Sequence, residues 1–179
     1  MSNFGLVQLS PSYITSYAAC TGFFTTAGSA TDVAILQGSA SKTIRVVNVW
    51  LVQAGVPPGS IDAKYFLLKR STANSGGTST TATSVPLDSN NPAASVSGLK
   101  LYTANPITGT LVGLISCNDI ATNASSGAGN TSFLSLYKAS PYTQAIVLRG
   151  TGEGLAVNFN GVTNPLNTSV SIGYEWTEE

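Results

Sequence analysis

The chain of 179 residues contains no histidine. This removes the side chain that titrates nearest neutrality and the usual general base of a serine or cysteine nucleophile. Charge is scarce too, with eight basic and eight acidic residues, 9% of the chain, against 42% hydrophobic residues. The carboxylates Asp32, Asp62, Asp88, Asp119, Glu153, Glu175, Glu178 and Glu179 fall singly or at the C-terminus. No facing pair of the kind that cleaves glycosidic bonds is evident. The only two cysteines, Cys20 and Cys117, are too few for a zinc site without histidine. They are expected to be reduced, buried thiols rather than a disulfide.

No stretch reaches the roughly eighteen apolar residues of a membrane helix. The start, Met-Ser-Asn-Phe-Gly, lacks the basic and apolar regions of a secretory leader, so synthesis in a cytoplasm is expected. The triplets at Asn123, Asn130 and Asn167 are then chance matches to a glycosylation motif. A net charge of zero gives no long-range attraction to nucleic acid or anionic lipid. These absences argue against an enzyme, a cofactor, a metal, nucleic acid and a membrane.

Neutral polarity is abundant, with 23 Ser, 21 Thr and 18 Gly. Such a surface is cheaper to desolvate against a protein partner than one rich in Lys and Glu. Strand signals recur through the chain. Thr43–Gln53 is dense in β-branched and aromatic residues and apolar on both faces through Val46–Val52. A second strand is expected over Ile61–Arg70, ending in the basic pair Lys69-Arg70. Shorter ones are expected at Leu99–Thr103, Thr110–Ser116 and Phe133–Tyr137. Thr143–Arg149 and Gly154–Asn160 read as a hairpin through Gly150–Glu153, a better reading of these glycines than a phosphate loop, which needs a following Lys. The last strand alternates most cleanly, with Val170, Ile172, Tyr174 and Trp176 on one side. No segment repeats at 3.6 residues. The fold expected is all-β, a single antiparallel sandwich of jelly-roll type with long polar loops.

Two segments are less regular. Residues 1–42 carry Phe4, Tyr13, Tyr17, Phe23 and Phe24 in a thin polar background, and Asp32 is the one charge of the first forty residues. They read either as first strands or as an arm that orders on a neighbouring subunit, ahead of a sandwich domain over 43–179. Residues 71–98 form a polar stretch too long for an ordinary turn. A short helix starting at Asp88 or Ser89 is one reading of part of it, and a lone Asp88 is too little for calcium. The candidate partner contacts are the five aromatics named above, Lys69 and Arg70 at a strand end, and Asn74, Asp88 and Asn90 in the long loop.

Several strings have a familiar order. They are Leu68–Thr81 with its Lys-Arg-Ser-Thr core, Val85–Ala94, Tyr102–Pro106, Gly109–Gly113, Gln144–Gly152, Leu155–Gly161 and Glu175–Glu179. Together, over roughly 43–179, they resemble small structural proteins of tailed bacteriophages, some of the head decoration or cement type. The resemblance implies a virion protein made in the bacterial host cytoplasm. It would sit on the capsid surface, bind the major capsid protein and assemble with itself as a homotrimer or homodimer. The alternatives are a tail, baseplate or fibre component, and a carbohydrate-binding adhesin module using Tyr102, Tyr137 and Tyr142 as platforms.

Overall fold

The computed structural model describes residues 14–29, 31–55, 61–122, 130–159 and 168–179. Twelve strands account for the regular structure: β1 (Ser16–Cys20), β2 (Asp32–Gln37), β3 (Ile44–Gly55), β4 (Ile61–Arg70), β5 (Ser79–Thr83), β6 (Val85–Pro86), β7 (Gly98–Tyr102), β8 (Leu111–Thr122), β9 (Asn130–Lys138), β10 (Ile146–Leu148), β11 (Gly154–Phe159) and β12 (Thr168–Glu178). They form two six-stranded sheets. The first runs β10-β3-β12-β1-β6, with β9 also on β3, and the second runs β5-β7-β2-β11-β4-β8. All pairings are antiparallel.

Within this frame one sheet contains the run β1-β12-β3-β9 and the other β2-β11-β4-β8. Successive strands β1 to β4 alternate between sheets, and the last strand lies beside the first. That connectivity is the eight-stranded jelly roll. β5, β6 and β7 are added between β4 and β8, and β10 between β9 and β11.

The core lies between the sheets. Val170, Ile172, Tyr174 and Trp176 of β12 are fully buried and face Ala34, Leu36, Tyr65, Leu67, Leu155 and Val157 across the sandwich. Each such burial contributes roughly 1.5–3 kcal/mol. Tyr17 stacks on Trp176 with centroids 6.0 Å apart, and Tyr65 meets Phe159 edge-on at 4.7 Å. β3 points Ile44, Val46, Val49 and Leu51 inward. Its outer residues Val47, Trp50 and Val52 are half-buried, so that face is more open than its apolar composition implies.

Four expectations change. The first is the 150–153 turn, which is not a hairpin. β10 pairs with β3 and β11 with β2 and β4, so the turn crosses between sheets. Next, the 71–98 stretch contains β5, which pairs with β7, and β6, which pairs with β1. Residues 88–91 make a turn, closed by Asn91 N–H to Asp88 O at 3.0 Å, instead of a helix. Third, β1 and β2 belong to the two sheets, so the sandwich includes strands ahead of residue 43. Finally, both cysteines are free but exposed, because Cys20 and Cys117 point away from the core.

Candidate docking surface

Asp32, the one charge of the first forty residues, is wholly buried. Arg70 meets it at two points, Nη2 to Oδ1 at 2.7 Å and Nε to Oδ2 at 2.8 Å. Asn74 Nδ2 donates to Oδ2 at 2.8 Å and Asn158 Nδ2 to Oδ1 at 2.7 Å. Four donors therefore satisfy a carboxylate that would otherwise be costly to bury. The network continues outward. Arg70 Nη1 donates to Gly109 O at 2.8 Å, and Gly109 N–H donates to Asn74 Oδ1 at 2.8 Å.

This node fastens two loops, 71–78 and 103–110, to the second sheet. Ser75 and Ile107 exchange backbone hydrogen bonds at 3.0 and 2.8 Å. The loops shelter a small second core of Ile35, Leu68, Tyr102 and Ala156. Burial raises the pKa of Tyr102; its Asn74 hydrogen bond opposes this in part, and the Asp32 charge adds to it. Gly109 permits the close approach, since a Cβ there would collide with Thr72 O. Arg70 and Asn74 are thus structural, not surface contacts for a partner.

Lys69 is also engaged. Its Nζ lies 3.1 Å from Glu153 Oε2 and donates to Val147 O at 2.9 Å, tying β4 to the crossing turn. Burial works to raise the Glu153 pKa. The Arg149 backbone N–H and the Lys69 ammonium outweigh it, and the carboxyl ends below its ordinary value.

The expected aromatic contacts divide. Phe4 and Tyr13 lie outside the described residues. Tyr17 is a core residue, and Phe24 packs against the core beside its bridge to Val170. Phe23 is 59% exposed. Asp88 and Asn90 are exposed, with Asp88 Oδ1 accepting from Asn90 N–H at 2.9 Å. Near them, Ile14, Ser16, Leu87, Asp88 and Asn91 line a shallow cleft of about 340 Å³. Ile14 and Leu87 are more than half exposed there. Of the proposed sugar platforms, Tyr102 is buried, Tyr137 is half-buried with its hydroxyl on Gln144 O, and Tyr142 stands free.

A surface that strand periodicity did not indicate lies on β8, an edge strand of the second sheet. β8 carries two bulges against β4. Its register steps from Ser116 to Leu114 and from Gly113 to Leu111 while β4 advances one residue each time. Cys117, Leu114 and Leu111 accordingly pair with Phe66, Leu68 and Arg70. Cross-strand partners point to one face. The bulges therefore place residues three apart on the same outer face, where strict alternation would split them. Leu111, Val112 and Leu114 are each more than half exposed, and Cys117 is exposed beside them.

Among the described residues, no group of three or more His, Cys, Asp or Glu side chains could hold a metal. No helix among the described residues is long and apolar enough to cross a membrane. No protein-family model matches the chain, and no curated protein matches it in sequence.

Proposed function

We propose that this protein is a bacteriophage virion component of the head decoration type, docking on the major capsid protein lattice and stabilising the head. The observation that carries the reading is a jelly roll that exposes apolar side chains on a surface poor in charge, with Asp88 the one charge lining the cleft among the described residues. Ile14 and Leu87 line the 340 Å³ cleft, and exposed Val85 lies on β6 opposite Ala18 of β1. The jelly roll recurs in viral coat and lectin domains, which makes the architecture compatible with the reading and no more than that.

Docking on a repeating shell suits the surface chemistry. Neutral side chains lose little on desolvation, and many weak contacts on one particle reinforce each other. The cleft edge at Ile14 and Leu87 is assigned as the face toward the lattice, with Asp88 and Asn90 at its rim.

Quantitative mass spectrometry of purified particles tests this. A head decoration protein is present at on the order of hundreds of copies, following the repeat of the shell. A count of tens or fewer would move the protein to the tail, baseplate or fibre. Absence from mature particles overturns the proposal.

A further inference from the structure

Ion pairs neutralise part of the charge within this molecule. Glu153 faces Lys69 at 3.1 Å, Glu179 faces Arg45 at 2.7 Å and Asp32 faces Arg70. Lys42, Lys100 and Arg149 are different, for their side chains make no hydrogen bond or ion pair among the described residues. These three cations border two adjoining clefts. Lys100 lines one of about 310 Å³ with Ser95, Ser97 and Thr151, and Lys42 and Arg149 line one of about 280 Å³ with Thr43 and Glu179. The clefts share the wall Ser39–Ala40–Ser41, in the connection from β2 to β3. That wall is braced at both ends. Gly38 N–H donates to Glu153 O at 2.8 Å, and a Cβ at Gly38 would collide with Gly150 O. Thr43 and Glu179 exchange backbone hydrogen bonds at 2.9 and 3.0 Å. Between these points Ser39 is buried, and its Oγ accepts from Ser41 N–H at 3.2 Å. Backbone contacts therefore set the shape of the shared wall, and little ordering is needed on binding.

We infer that this braced loop and the two clefts beside it form a docking site for an acidic segment of a partner protein, one carboxylate entering each cleft. Charge complementarity selects this occupant. Ammonium and guanidinium groups only donate hydrogen bonds, so a neutral apolar face laid over them would leave buried donors unpaired. The chain's own carboxylates nearby are already engaged. Glu153 and Glu179 hold their ion pairs, and Glu178 accepts from Ser95 N–H at 2.9 and 3.1 Å and from Trp176 Nε1 at 3.1 Å. That leaves Glu178 alone against three unmatched cations, and acidic side chains from outside would complete the balance. A continuous polyanion such as nucleic acid fits less well. Glu179 lines the second cleft, Glu178 adjoins the first through Ser95, and the whole chain has no net charge to attract one. The Ile14–Leu87 cleft is a neighbour, since its Ser16 pairs with Thr177, next to Glu178. The inference stands on the three cations and does not rest on the virion reading.

Fluorescence anisotropy of a labelled oligoglutamate peptide, titrated with the purified full chain, tests it. Saturable binding is expected, weakening as salt is added, and an oligoglutamine peptide should not bind. Lys42→Gln with Arg149→Gln, and separately Lys100→Gln, should each raise Kd several-fold, and the three changes together by about tenfold or more. Lys138→Gln removes an exposed cation that lines neither cleft, and should leave Kd unchanged. Amide resonances give a second readout on wild type, independent of any variant. Those of Ser39, Ser41 and Thr151 should shift with the peptide, while those of the β8 edge should not. The absence of saturable binding overturns the inference. So does a Lys138→Gln effect as large as that of the triple variant, or shifts that spare the Ser39–Ser41 wall. An oligonucleotide that binds as tightly as the peptide would also overturn it, by showing attraction to any polyanion. No particle enters the experiment, so none of these outcomes bears on the copy number that tests the virion reading.

Discussion

Arg70 closes over Asp32 through two parallel hydrogen bonds of 2.8 and 2.7 Å, both partners being shielded from solvent. Asp32 opens β2 and Arg70 ends β4, with β11 between them. The pair therefore locks three strands and the two loops that cover them. Removing one partner leaves the other buried without compensation. Asp32→Ala or Arg70→Ala should destabilise the fold by about 3–5 kcal/mol. Asn74→Ala should cost about 1–3 kcal/mol, by leaving Asp32 and Gly109 each one partner short. Urea unfolding gives the values, and an Arg70→Ala midpoint equal to wild type would contradict the assigned role.

Gly173 lies opposite Trp50 on the outer face of the first sheet, and a Cβ at Gly173 would run into the indole ring. Gly173→Ala should destabilise by about 1–3 kcal/mol through overpacking. Trp50→Ala in the same chain frees that space, so the double variant should be more stable than the sum of the two penalties indicates. An additive double-mutant cycle would show that the ring does not press on this position.

Stability should fall in alkali. Burial raises the Tyr65 and Tyr174 pKa values well above the ordinary tyrosine value, with the Asp32 charge adding to Tyr174. The unfolded chain ionises these phenols near pH 10 while the folded chain keeps them protonated. Their contribution is complete below pH 10 and drains away as pH rises beyond it. With no histidine to titrate, melting temperature should vary little between about pH 6 and pH 9. Tyr174→Phe should weaken the loss above pH 10, and an unaltered alkaline slope would count against this account.

Glu153 works at the opposite end of the pH scale. Its folded pKa is depressed, so its stabilisation is present above the usual carboxylate value of about 4.3 and is lost as pH falls through the lower folded value. Glu153→Gln should be less stable than wild type at pH 7 and converge on it in strong acid. A difference that persists unchanged in acid would assign the effect to packing, not to the charge facing Lys69.

Much of the scaffold could be read from residue order. Val170, Ile172, Tyr174 and Trp176 alternate without interruption, and β4 occupies the expected Ile61–Arg70. What escaped has specific causes. A Gly-rich turn says that two strands reverse, not that they pair, so β10 and β11 were assigned to one hairpin though each joins a different sheet. A charged pair at a strand end normally meets solvent; Arg70 is buried because Asp32 waits two strands away. Asp32 did carry a signal, being a lone charge that opens the apolar run Val33–Leu36. The row on β8 was hidden because bulges convert a period of two into a period of three, and bulges leave no mark in composition.

The most direct measurement of the docking claim uses heads from a phage lacking the protein, mixed with the purified chain. The account predicts saturable binding at on the order of hundreds of copies per head, weakened by Leu87→Lys together with Ile14→Lys, and heads that withstand more heat after binding. Heads that take up none of the protein, and that are as sturdy without it as intact particles, would contradict it.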